Sequence, residues 1–167
     1  MTKVGRAGYA AFVPDAAGEW DRGEVVIPAL LRAARGSYAQ AIGAHLAEAG
    51  FDDLPRHGAF VLGGMANHGG SAVEMIRGLG VSKQAASQLI DTLVLRGYLT
   101  RAMNPNDRRR MTIELTERGR AAAGAVRAGI QSIDAELARM LTPVELEGLR
   151  SGLAALGRIR DSVREAS

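Results

Sequence analysis

The 167-residue chain contains no cysteine. Disulfides, thiol-based peroxide sensing and thiolate metal sites are therefore excluded together. Histidine is scarce: His45, His57 and His68 lie 12 and 11 residues apart, far from the i, i+4 spacing of a helical metal pair. No Ser-His-Asp constellation, Gly-rich phosphate loop or paired-carboxylate spacing stands out, so neither a cofactor nor an enzymatic activity is expected. No apolar run is long enough to span a bilayer and no basic-then-apolar leader follows Met1, which makes the cytoplasm the expected compartment.

What the chain does have is a core's worth of apolar residues, 47% of the total, with an ordinary 23% charged. The formal charge of +3 is unevenly spread. From Arg77 to Arg110 there are seven basic residues against two acidic ones, a local +5, while the remainder carries 14 basic and 16 acidic residues. Positive charge gathered on one stretch is what a surface facing phosphate requires.

That stretch is also the most patterned. Ser71-Ala72-Val73-Glu74 fits a capping box and predicts a short helix. Val73, Ile76 and Leu79 follow at three-residue spacing, and Gly78-Leu79-Gly80 can supply the left-handed backbone of a sharp turn. Ser82 is a second N-cap; from it Ala86, Leu89, Ile90 and Leu93 form an apolar stripe, with Lys83, Gln84, Ser87, Gln88 and Asp91 on the polar side. Gly97 closes this helix. Tyr98 to Arg101 and Met111 to Leu115 read as strands, the second with Met111, Ile113 and Leu115 inward and Thr112 and Glu114 outward. The connection, Ala102 to Arg110, holds the turn Asn104-Pro105-Asn106-Asp107 and then Arg108-Arg109-Arg110. The plan is a helix-turn-helix followed by a hairpin with a basic tip.

The run Asn106-Asp107-Arg108-Arg109-Arg110, then Ile113-Glu114-Leu115-Thr116-Glu117-Arg118-Gly119, resembles the wing of the MarR family of bacterial transcriptional regulators, and Leu93 to Gly97 resembles that family's end of the recognition helix. The likeness runs from about Leu54 to Gly119. It implies a mainly α fold with a small β wing, a winged helix-turn-helix (residues 54–115) flanked by N- and C-terminal dimerisation helices. It further implies a regulator that releases DNA when a small aromatic or phenolic compound binds in the crevice between those helices and the winged helix. Tyr38, His45, His57, Phe60 and Met65 are the candidate lining residues. The cysteine through which one branch of the family senses oxidants is missing here.

The flanks have the right periodicity for dimerisation. Residues 1–22 lack any period and read as an arm, with Trp20 as an anchor to the body. From Gly23 to Ala49, the residues Ile27, Leu31, Ala34, Tyr38, Ile42 and Leu46 make one amphipathic helix, ended by Gly50. Leu54-Pro55 opens a second helix reaching Asn67, weakened by Gly58, Gly63 and Gly64. After the wing, Thr116 starts a helix whose Val126, Ile130, Ile133, Leu137 and Met140 form a coiled-coil-like seam. Thr142-Pro143-Val144-Glu145 caps a last helix striped by Leu146, Leu149, Leu153, Leu156 and Val163. These seams predict a two-fold homodimer built from residues 23–49 and 116–163.

Such a dimer addresses a pseudo-palindromic operator in double-stranded DNA, one recognition helix (82–96) in each of two successive major grooves and each wing (102–110) in the adjoining minor groove. Ser82, Lys83, Gln84, Ser87 and Gln88 are the expected contacts on the helix: glutamine pairs bidentately with adenine, serine with either base type, and lysine with guanine or phosphate. Arg108, Arg109 and Arg110 are the wing contacts, with Asp107 orienting Arg109. Two other functions fit the same pattern less well. One is an architectural or effector-independent DNA binder; the other is a zinc sensor using His45, Glu48 and His57.

Overall fold

The computed structural model describes residues 27–68, 71–104 and 107–165. Helices α1 (Ile27–Glu48), α2 (Gly58–His68), α3 (Ala72–Arg77) and α4 (Lys83–Leu95) precede an antiparallel hairpin, β1 (Leu99–Asn104) and β2 (Asp107–Leu115). Helices α5 (Glu117–Met140) and α6 (Pro143–Glu165) follow. The expected arm, with Trp20 and the start proposed for the first helix at Gly23, lies outside the described residues. The chain divides into two compact units, residues 1–40 and 41–167. In the first, the described part is the N-terminal stretch of α1, where Ile27, Leu30 and Leu31 are exposed and Tyr38 is half-buried.

The second unit holds the core. Val61, Leu62 and Met65 from α2, Ala72 and Ile76 from α3, Leu93 from α4, then Tyr98 and Leu99, meet Ala122, Ala123 and Val126 of α5. Helices α3 to α6 begin where their caps require. Ser71 Oγ accepts from the Glu74 amide at 3.2 Å while the Glu74 carboxylate accepts from the Ser71 amide at 2.9 Å, the reciprocal box that launches α3. Gly80 is the residue of the Gly78-Leu79-Gly80 turn that takes a positive φ, 67°, and Ser82 then caps α4. At the far end of α4, Gly97 adopts φ 72° and the Tyr98 amide donates to the Leu93 carbonyl at 2.9 Å, which is a Schellman closure. Thr142 and Glu145 repeat the box at the start of α6.

The glycines of α2 are where its neighbours come close: a Cβ at Gly64 would lie 2.4 Å from Met75 Sδ of α3. At Gly129 of α5 a Cβ would fall 2.6 Å from Ile42 Cα, so α5 and the C-terminal part of α1 touch backbone to backbone there.

Three expectations are corrected. Helix α2 begins at Gly58 rather than at Leu54-Pro55, because His57 takes a left-handed φ of 69° and the Gly58 amide closes a turn onto the Pro55 carbonyl at 2.8 Å. The strands run further than 98–101 and 111–115, so Arg108, Arg109 and Arg110 belong to β2 and not to the connecting turn. Met111 does not point inward with Ile113 and Leu115. Those two are half-buried against the core, but Met111 is 59% exposed, since the hairpin has by then run past the body that would cover it.

Candidate nucleic-acid interface

Helix α4 is divided along its length by what covers it. Leu93 is fully buried and Ala86, Leu89, Ile90 and Val94 pack against the core, which fixes the rotation of the helix about its axis. That rotation leaves Ser82, Lys83, Gln84, Ser87 and Gln88 exposed together on the first two turns. The Ser82 hydroxyl is already engaged, accepting from the Ala85 amide at 3.2 Å. The other four are an unobstructed row of donors and acceptors at the positive end of a helix.

The hairpin stands directly after this helix in the chain. Its register pairs Leu99 with Leu115, Arg101 with Ile113 and Met103 with Met111, then jumps so that Asn104 pairs with Asp107. Arg108, Arg109 and Arg110 are thereby looped out as a bulge on β2, between two paired positions. The side chains of Asp107 and of these three arginines lie outside the described residues, and with them the expected Asp107–Arg109 pairing. Further down the hairpin, Arg101 is spoken for: its Nη2 bonds Asp91 Oδ1 at 2.5 Å, tying β1 to α4.

A cluster that sequence reasoning missed joins these parts. The Tyr98 hydroxyl, on the first residue after the α4 closure, donates to Asp53 Oδ1 at 2.5 Å. Arg118 Nη2 donates to the same carboxylate oxygen at 2.8 Å and to the Tyr98 oxygen at 3.2 Å, with its guanidinium 4.7 Å above the Tyr98 ring. Arg96 donates to the Asp53 carbonyl, and Phe51 packs its ring against Tyr98 with centroids 6.1 Å apart. The Tyr98 hydrogen bond first, and Arg118 after it, hold the Asp53 carboxyl below its usual 3.8. Burial, reinforced by Asp53, pushes the Tyr98 phenol above its usual 10.0.

The same geometry explains the run Leu115-Thr116-Glu117-Arg118-Gly119 residue by residue. Thr116 donates to the Gly97 and Tyr98 carbonyls at 2.5 and 3.0 Å and caps α5 by accepting from the Gly119 amide at 3.0 Å. Gly119 has no Cβ because one would lie 2.0 Å from the Tyr98 carbonyl oxygen. Thus the end of the presented helix, the start of the hairpin and the start of α5 are locked at one point. Arg96 and Tyr98 are near neighbours in the sequence, but Arg118 lies 20 residues beyond Tyr98 and Asp53 lies 45 before it, so no local signal brings the cluster together.

Of the residues considered for an effector, His45 lines a shallow groove of about 490 Å³ together with Glu48, Ala49, Phe51, Ala121, Gly124, Ala125 and Ala128. The groove does not include His57, Phe60 or Met65. Phe60 is half exposed, Met65 belongs to the core, His57 forms the turn before α2, and Tyr38 sits on the part of α1 in the first unit. Among the described residues no group of three or more His, Asp or Glu could hold a metal ion, so His45, Glu48 and His57 do not form one. Nor is any described helix long and apolar enough to cross a membrane.

Helix-turn-helix, basic hairpin and long flanking helices in this order define a winged helix-turn-helix protein. Residues 52–110 match the model of the MarR family, the family that the motifs had pointed to. Solved structures agree on the fold. S. aureus MepR in complex with DNA superposes with a TM-score of 0.62 at 20% identity, over 80% of this chain and 97% of that one. CouR, a transcriptional repressor bound to a 23-mer DNA duplex, gives 0.60 at 24% identity, over 79% and 92%. Wild-type MarR from E. coli in its apo form gives 0.56 at 24% identity, over 79% and 97%. No curated protein matches the chain in sequence.

Proposed function

We propose that this chain is a DNA-binding transcriptional regulator, acting as a repressor that binds a pseudo-palindromic operator as a homodimer and lets go when a small effector binds. The observation that carries the reading is the row Lys83, Gln84, Ser87 and Gln88, bare on the first turns of a helix whose other face is fixed in the core. Such a row is suited to base edges in a major groove, and the looped-out arginines of β2 supply charge for the minor groove beside it. MepR and CouR, which share the fold, were each solved on DNA. The effector, a small aromatic or phenolic compound, fits a site that includes His45; the groove there also contains Phe51, whose ring lies against Tyr98 at the lock point. A regulator with no enzymatic step is the corresponding functional class.

Fluorescence anisotropy against an operator and against mixed-sequence DNA, at several salt concentrations, tests this. Gln84→Ala costs about 1–3 kcal/mol on the operator and little elsewhere. Arg109→Ala weakens binding to every sequence and lowers the salt slope by about 1. A protein that ignores duplex DNA even at low ionic strength refutes the reading, and one that binds all sequences alike is an architectural protein instead.

A further inference from the structure

Met103 and Met111 are paired directly across the hairpin, at the last regular position before the arginine bulge. Opposed residues in an antiparallel ladder share a face, with Cβ atoms about 4.5–5.5 Å apart. Both side chains are bare, 66% and 59% exposed. Of the remaining methionines in the described residues, Met65 is in the core and Met75 is half-buried against α2, while Met140 is bare at the far end of α5. Among the described residues, these two apolar thioethers at the base of a cationic loop neither belong to the core nor pack against it. If the hairpin enters a minor groove, however, they face its walls, where the deoxyribose C–H surface is apolar and methionine is one of the residues used as a wedge.

We propose that Met103 and Met111 form an oxidisable contact, through which a two-electron oxidant such as hypochlorous acid or a peroxide detaches this cysteine-free protein from DNA. The inference rests on the DNA-binding reading above. With a peroxide the thioether sulfur donates a lone pair to a peroxide oxygen, so that an S–O bond forms and the O–O bond breaks. With hypochlorous acid the sulfur attacks chlorine, the O–Cl bond breaks to release hydroxide, and water then displaces chloride from the chlorosulfonium to form the S–O bond. Chloride and a proton, or water, leave. Sulfur is oxidised by two electrons and the oxidant is reduced by two. The product is methionine sulfoxide, polar where the parent was apolar, and reductases specific for each sulfoxide epimer reverse it. Its S–O dipole also turns a partially negative oxygen toward a phosphate-lined groove. With more than half of each side chain exposed, both are open to the oxidant without any unfolding, whereas Met65 is shielded.

The test uses the full chain and a labelled mixed-sequence duplex at low ionic strength, before and after limited hypochlorite quenched with free methionine. The readout is the ratio of treated to untreated Kd for each protein, so any change that a substitution makes to untreated binding divides out. For the wild type the ratio is expected to be on the order of tenfold, with oxygen added at Met103 and Met111 by mass spectrometry, and to return to one after treatment with both sulfoxide reductases. The double variant Met103→Leu/Met111→Leu is expected to give a ratio near one, and Met140→Leu a ratio like the wild type. Equal ratios for wild type and double variant, protection by Met140→Leu, or failure of the two wing methionines to oxidise would each overturn the inference while leaving DNA binding intact. Untreated protein that does not bind the duplex would instead bring down the functional reading, and the inference with it.

Discussion

In the body around Tyr98, apolar side chains disappear into the chain that carries them: Val61, Leu62 and Leu93 have no exposed surface. Along α6 they do not. Leu149, Leu153 and Leu156 keep 40–46% of their surface open, and Ile159 and Val144 keep more. Both regions have comparable helical stripes in sequence. The difference lies in what each stripe has within reach: α2, α3, α4 and α5 converge on one another, while among the described residues α6 offers its face to no comparable set of neighbours. Among the described residues the body covers its own apolar face and α6 does not, and the face of α6 is the surface that the proposed homodimer would bury.

Substitutions in the two regions should separate these roles. Leu62→Ala removes a fully buried side chain from the middle of the body and is expected to cost about 3–5 kcal/mol in urea unfolding. The loss should be the same at every protein concentration, because the cavity lies within one chain. A cost that shrinks as the protein is concentrated would mean that the body is not self-sufficient.

Leu153→Ala asks the opposite question. With half of its surface already covered, each copy has about 1 kcal/mol left to gain from a partner, so a two-fold interface loses about 2 kcal/mol, roughly thirtyfold in dimer dissociation constant. Sedimentation or light scattering across a dilution series measures it. An unchanged mass at every dilution places the contact surface away from α6.

What could be read from the sequence follows a physical divide. Caps and glycine turns are local: Ser71 with Glu74, Ser82, Gly97 and Thr142 with Glu145 act within a few residues of themselves and were legible. The polar row on α4 was legible too, because the stripe Ala86, Leu89, Ile90 and Leu93 determines which face turns outward. Strand ends were not, since nothing local says how far a hairpin continues beyond the body; the bulge of Arg108 to Arg110 and the exposure of Met111 arise from that overrun. The Asp53, Tyr98 and Arg118 cluster depends on folding distant segments together, and the left-handed turn at His57, a non-glycine position, has no reliable local signature.

The smallest expected change is the one that reports on how the reading helix is held. Tyr98→Phe keeps the ring packed on Phe51 and under Arg118 but removes the hydroxyl from Asp53, a net hydrogen-bond contribution of about 1 kcal/mol. Its effect should depend on pH in two directions. Asp53 has a lowered folded value, so its contribution is present above 3.8 and is lost as pH falls through that lowered value; removing its principal partner should flatten the acid limb. Tyr98 has a raised folded value, so its contribution is complete below 10.0 and is lost as pH rises through the raised value, and phenylalanine has no such limb. Urea unfolding of both proteins from acid to alkaline pH should therefore show the variant less stable between the two limbs, with the curves converging at either end. Parallel curves would mean that the Tyr98 hydroxyl and the Asp53 carboxylate are not coupled in solution, and that the end of α4 is held by packing and by the Thr116 and Gly119 contacts alone.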